Sequence, residues 1–441
     1  MKGKVNITDI SIWGTRVGSV VWDDARELGF FEYSQQFLNS PVELAPLTMP
    51  KTSEIYSFPA LNRDVFRGLP GLLADSLPDK FGNLLINRWL KEQGREILDF
   101  SPIERLCYIG NRGMGALEFK PRIKSSVDQV NELDVKELVR LANIALRSRE
   151  QLQSSFSQGE ESQNEESLTR IISVGTSAGG ARAKAVIAWN EETNEVISGQ
   201  IQVPPGFGYW ILKLDGVHKN ADKELDDPQG FGRIEYAYFL MAKEAGIDIS
   251  ESKLLEENDR AHFITRRFDR LENGGKLHMQ TLCAMAHYDF NQAGAYSYEQ
   301  AFQVIRQLKM EQERVALEEQ FRRMVFNVLG RNQDDHTKNI SFLMGRNAAW
   351  ALSPAYDITF SFNKTGKWTS THQMSINGKR DNFTIADMIQ TAKMANIKAP
   401  NAKRIIQQVS KAISNWPDFA KTAGVSEEWI KQIGLCHRRF D

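Results

Sequence analysis

Residues 331–344 read RNQDDHTKNISFLM, and the parsing of that run decides how the rest of the chain is understood. Ahead of it, EQFRRMVFNVLG at 319–330 carries apolar residues at helical spacing and closes on a glycine. Behind it, ISFLM at 340–344 has the apolar and aromatic content of a strand. A turn at 345–347 and a return through WALSP at 350–354 make a short hairpin that delivers Tyr356 and Asp357 close to where it began. Between helix and strand, Asp334 and Asn339 stand five positions apart. Three oxygen-bearing side chains, Asp334, Asn339 and Asp357, are therefore expected to converge.

Phosphoryl transfer asks for such a set: a carboxylate to orient the attacking hydroxyl, and hard oxygen ligands to fix Mg²⁺ between phosphates. Asp-x4-Asn, a hairpin and a second Asp is the order in which kinase active sites supply them. On this parse Asp334 is the catalytic carboxylate, and Asn339 with Asp357 holds the metal. Asp335 could be mistaken for the base, but the five-residue spacing to Asn339 selects Asp334. The plainer alternative is a polar connection with Asp and Asn as turn formers, against which stands the full run N-x-D-x-H-x-K-N. His336 invites a metal reading, yet no second His lies at ligand spacing, so a hydrogen bond within the loop is expected of it.

Upstream, SVGTSAGGARAK at 173–184 is a glycine-rich turn between strands. Small residues let backbone N–H groups approach phosphates, and Arg182 or Lys184 could add charge; taken alone it is better read as a plain β-turn, and no P-loop pattern is present. WILKL at 210–214 follows, with Lys213 a lone cation on an apolar strand. Such a lysine is expensive to bury unpaired, and a nucleotide phosphate or Glu235 on the next helix would partner it; the alternative is an edge-strand lysine that blocks aggregation. FITRRFDR at 263–270 reads as a strand that could offer adenine backbone hydrogen bonds and an aromatic face.

The whole chain of 441 residues fits a two-lobed α+β fold of kinase-like type, with a β-containing N-terminal subdomain and a helical C-terminal lobe. The expected divisions are 1–125 for that subdomain, 126–165 for a helix and polar linker, 166–275 for a nucleotide-binding lobe and 276–441 for the helical catalytic lobe. β-Rich sequence followed by helical sequence is the order that two lobes closing over a ligand require. Lys and Arg total 55 against 56 Asp and Glu, a net charge of -1, which gives no support for autonomous DNA binding. Three scattered cysteines exclude a disulfide framework and a cysteine-based zinc site. Neither a signal peptide nor a transmembrane span is read, so a cytoplasmic protein without membrane contact is expected.

In GLLADSLPDKFGN (71–83), RGMGALEF (112–119), SAGGARAK (177–184), WILKL, RRFDR (266–270), DDHTKN (334–339) and PAYDI (354–358), the chain resembles the HipA family of bacterial toxin kinases. The resemblance implies a Mg·ATP-dependent serine/threonine kinase, the toxin of a pair with a HipB-like DNA-binding antitoxin, reaching DNA only through that complex. It implies a protein substrate such as an aminoacyl-tRNA synthetase. It implies ATP contacts from Gly179, Gly180, Ala181, Arg182, Ala183 and Lys184, from Lys213, from Arg267 and Phe268, and from His336, Lys338 and Tyr356. It also implies autophosphorylation at Ser177, where a dianion would repel the phosphates the loop must cradle. The loop reads GGARAK where the best-known member has a Gln-Glu pair before the lysine, which bears on substrate choice more than on activity. A nucleotide-holding scaffold and co-repressor without turnover is the alternative.

Overall fold

The structure, a computed structural model, describes residues 4–92, 94–97, 100–121, 123, 135–146, 183–200, 202–217, 230–257 and 260–440. The chain divides into two compact units that interleave along the sequence. One comprises Met1–Pro41, Lys51–Gly232 and Lys253–His278; the other comprises Val42–Pro50, Arg233–Ser252 and Met279–Asp441. Among the described residues no helix is long and apolar enough to cross a membrane.

The first unit opens with a meander of β1 (Ile7–Ile12), β2 (Thr15–Asp23) and β3 (Leu28–Tyr33), and β4 (Leu117–Lys120) adds to the free edge of β1 in the order β3-β2-β1-β4. Alternation of apolar and polar residues predicts these strands, and burial follows it: Ile10, Ile12, Val17 and Val20 are sealed while Ile7 and Val21 are open. Trp13 and Gly14, both at positive φ, make the first hairpin turn. Gly18, a residue type that usually marks turns, lies within β2 opposite Ile10 and Tyr33. A Cβ there would stand 2.1 Å from the Glu32 carbonyl oxygen, so glycine serves close strand approach. The helix Pro102–Ile109 starts after Ser101 through a capping box with Glu104.

A second sheet in this unit has five strands in the order β6-β5-β7-β9-β8. They are β5 (Lys184–Asn190), β6 (Glu195–Ser198), β7 (Gly208–Lys213), β8 (Ser252–Glu257) and β9 (Arg260–Arg266). One face carries Ala185, Ile187, Trp210, Leu212 and Ile264, packed with Val135 and Leu138 of the helix Val135–Leu146. That helix occupies part of the 126–165 span expected to hold a helix and a linker; the remainder lies outside the described residues. The meander and this sheet, separate in the sequence reading, belong to one unit. Trp13 Nε1 donates to the Lys276 carbonyl at 2.8 Å, and Lys276 Nζ reaches the Asn111 carbonyl and Glu118 at 2.8 and 2.9 Å.

The second unit is mainly helical, as 3.6-residue periodicity predicts. Its principal helices are Tyr298–Gln307, Glu313–Leu329, Ile385–Met394 and Ala399–Ser414, the first and third opened by capping boxes at Ser297 and Thr384. A small sheet runs β10 (His278–Thr281), β11 (Ser341–Met344), β12 (Trp350–Leu352), and β11 pairs antiparallel with β12 as the sequence hairpin requires. The buried helix Glu313–Leu329 leads straight into the loop that carries Asp334.

Candidate active site

The helix Glu313–Leu329 stops at Gly330, and Arg331 at φ 57° reverses the chain. Tyr238 holds the turn by donating to the Gly330 carbonyl at 2.5 Å. From here to the 3₁₀ turn Thr337–Asn339 the side chains differ sharply in burial. Asn332, Gln333, Asp335 and Thr337 are buried, whereas Asp334, His336 and Lys338 are partly open. Burial therefore separates the two neighbouring carboxylates in the same sense as spacing: the Asp334 side chain is 41% exposed and that of Asp335 is 1% exposed. Only the former can meet a solute.

Asp335 forms the floor of the loop. Its Oδ2 accepts from Tyr298 Oη at 2.8 Å and His372 Nδ1 at 2.7 Å, and Oδ1 accepts from the Gln373 N–H at 2.8 Å. Burial pushes against the charge. The interaction with His372 and the hydrogen bonds from His372, Gln373 and Tyr298 outweigh it, holding Asp335 below the usual carboxylate range. Burial, then the Asp335 charge, pushes the Tyr298 hydroxyl well above its ordinary value, so it remains a donor. Arg438 Nη1 lies 3.0 Å from His372 Nε2. A guanidinium can only donate, so Nε2 accepts and the ring proton sits on Nδ1, facing Asp335.

Above this floor, Asp334 Oδ1 accepts from Trp368 Nε1 at 2.6 Å, with His336 Nε2 at 3.7 Å from the same oxygen. The His336 ring tilts against Phe290 at 5.3 Å, and Lys338 Nζ lies over that phenyl ring at 4.7 Å. The 3₁₀ turn Thr337–Asn339 brings Asn339 back so that Nδ2 donates to the Asp334 carbonyl at 2.8 Å. That bond orients the amide and turns its Oδ1 away as an acceptor. Tyr356 donates to the Lys338 carbonyl at 2.6 Å and is also bonded to Ser341 Oγ, so its hydroxyl ties the β11–β12 hairpin to the loop. Ala355 is bound on both sides, its N–H to the Asp248 carbonyl and its carbonyl to the Ser250 N–H.

Immediately after that anchored stretch, Asp357 adopts φ 51°, a left-handed conformation that Asp tolerates better than most side chains and that recurs at functional positions. The donors of Asn339 and Asp357 are all hard oxygens, which suits Mg²⁺ completed by water and phosphate oxygens. Among the described residues no group of three or more His, Cys, Asp or Glu forms a metal cage.

In the first unit, Lys184 and Lys213 stand directly opposite each other on β5 and β7, and Phe263 is opposite Lys213 on β9. Directly paired residues share a face, here the face away from the helix Val135–Leu146. Lys184 is buried, and Lys213 Nζ lies 5.5 Å over the Phe263 ring. The pair sets two cationic side chains on one face of the sheet, chemistry that could receive a phosphate. Ala183 is buried at the start of β5. Gly179, Gly180, Ala181, Arg182 and Ser177 lie outside the described residues.

Arg267 does not offer its side chain to a ligand. Its guanidinium is sealed, donating to Asp269 at 2.9 and 2.7 Å and to the Gly113 carbonyl at 3.3 Å. Its N–H goes to the Tyr209 carbonyl. What this segment could still offer a nucleotide is its remaining main chain and half-buried Phe268. Two residues central to this geometry, Asp269 and Trp368, escaped the sequence reading. Asp269 had a visible signal in its flanking arginines; Trp368 had none.

A family model described as the HipA-like C-terminal domain matches residues 176–416, and one described as the HipA N-terminal domain matches residues 8–120. A Haemophilus influenzae protein provisionally named a kinase is 33% identical over 135 residues, 28% of this chain and 39% of that relative's length. Among solved structures, a chain of the Shewanella oneidensis toxin–antitoxin complex of HipA, HipB and operator DNA superposes with a TM-score of 0.67 at 14% identity. That match covers 97% of this chain and 95% of the other, a likeness of fold.

Proposed function

The chain belongs to the HipA family, and on that premise we propose that it is a Mg·ATP-dependent protein serine/threonine kinase and the toxin of a toxin–antitoxin pair. The observation that carries the reading is the fate of the two adjacent aspartates. Asp335 is buried as an anchor, and Asp334 is held out on a fixed loop by Trp368. A carboxylate so placed accepts the proton of a serine or threonine hydroxyl as its oxygen bonds to the γ-phosphorus. The bond from that phosphorus to the bridging oxygen breaks, its electron pair leaving with ADP. Asn339 and Asp357 would hold magnesium, which supplies charge neutralisation at the phosphate oxygens when bound. Lys184 and Lys213 would take the phosphates of ATP, together with the loop 179–184.

The balanced overall charge suits a chain that reaches DNA through a HipB-like antitoxin rather than by itself. We assign its target to the translation machinery, an aminoacyl-tRNA synthetase being the family's example, and its autophosphorylation to Ser177. The test is incubation with γ-labelled ATP, alone and with a cell extract. Wild type should label itself or an extract protein, and Asp334→Ala should lower that rate by roughly 10³-fold at unchanged melting temperature. Equal behaviour of the two proteins, with both still binding the antitoxin, would establish the scaffold and co-repressor reading instead.

A further inference from the structure

We propose that Trp368 is a positioning residue for phosphoryl transfer, its indole N–H fixing the plane of the Asp334 carboxylate for the acceptor hydroxyl. The inference rests on the kinase reading of that site. The terminal torsion of an aspartate is broad and has no sharp minimum, so a half-exposed carboxylate swings unless something holds one oxygen. Trp368 Nε1 does so at 2.6 Å, a short bond of the charge-assisted kind. It engages Oδ1, which His336 Nε2 also faces at 3.7 Å, and so sets the plane in which the carboxylate meets a hydroxyl.

Trp368 is itself held. Its carbonyl accepts from Gln373 Nε2, which also reaches the Gln333 carbonyl at 3.3 Å, and the Gln373 N–H donates to Asp335 at 2.8 Å. The path therefore closes on itself: catalytic carboxylate, indole, glutamine, anchoring carboxylate and back along the chain. The indole arrives from the segment 361–372, which follows Asp357 by only a few residues. A residue with a bulky ring and one N–H suits this place, because the ring packs while the single donor selects one oxygen.

The test measures transfer from γ-labelled ATP over an ATP titration, to the chain itself or to an extract protein. Trp368→Phe, which keeps a ring and removes the donor, should lower the maximal rate by about 100-fold and leave the half-saturating ATP concentration unchanged. Trp368→His, which restores an N–H, should recover part of the loss. A Trp368→Phe protein as fast as wild type, or a Trp368→His protein no faster than Trp368→Phe, overturns the proposal while leaving the kinase reading intact. A wild type without turnover brings down both. Should the tryptophan variants fail to fold, ¹⁵N-indole spectra of wild type and Asp334→Ala decide: one indole resonance should move strongly, and none moving overturns the proposal.

Discussion

Asp269 in the first unit and Asp335 in the second are both carboxylates closed off from water, and both are held below the usual carboxylate range. Their partners differ in kind. Asp269 is surrounded by fixed cations: Arg267 at 2.9 and 2.7 Å and Arg270 at 2.7 Å, with the Gly115 N–H at 2.7 Å. The same arginines seize the Gly113 carbonyl, so RGMG at 112–115 and RRFDR at 266–270 are two jaws of one clamp. Asp335 takes its hydrogen bonds from a phenol, an imidazole and an amide. One of those donors, Gln373, leads on to Trp368 and so to Asp334. A lowered pKa does not tell a structural carboxylate from one that serves a site; the chemistry of its donors, and where they lead next, does.

The comparison can be broken at several points. Asp269→Ala leaves two buried guanidinium groups without a counter-charge and should destabilise by about 3–5 kcal/mol, read by urea unfolding. Burial resists the Asp269 charge, while Arg267, Arg270 and the Gly115 N–H stabilise it. Its contribution is therefore fully present above an unfolded carboxylate value near 4 and is lost as pH falls towards the folded value. Acid unfolding of wild type should show this loss, and Asp269→Asn should lack it; identical acid limbs would mean that the clamp carries no net charge effect. Activity measured well below the unfolding threshold should persist in both.

Asp335→Asn keeps the shape but weakens charge-assisted bonds, for an expected loss of roughly 2 kcal/mol. Here the rate of phosphoryl transfer should fall as well, because the new amide NH2 would face the Tyr298 and His372 donors and disturb the loop. A variant that is destabilised yet transfers at the wild-type rate would reduce the network to a second clamp. Arg438→Met retains the apolar stem and removes bonds to His372, Asp381 and the Val328 carbonyl. It should cost about 1 kcal/mol and slow transfer less than Asp335→Asn does, by thermal melting and labelled-ATP assay.

Much of the second unit is written in local pattern. Periodicity marks the helices Glu313–Leu329 and Ala399–Ser414, and the five-residue spacing to Asn339 singles out Asp334 from its neighbour. What sequence does not carry is pairing at a distance. Trp368 meets Asp334 across 34 residues and His372 meets Asp335 across 37, with nothing in either spacing to announce it. Arg267 is held the same way, by the Gly113 carbonyl of a turn 154 residues earlier. Gly18 shows the converse, a turn-former used for the closeness it permits within a strand.

The short piece Val42–Pro50 belongs to the second unit although the chain on either side of it belongs to the first. Glu43 receives the indole proton of Trp350, which is made 307 residues later. On the ribosome that nonapeptide must therefore wait through most of translation before its surroundings exist. Neither half can be liberated by a single cut or expressed alone with its composition complete. A message terminated before Trp350 leaves Val42–Pro50 without that partner.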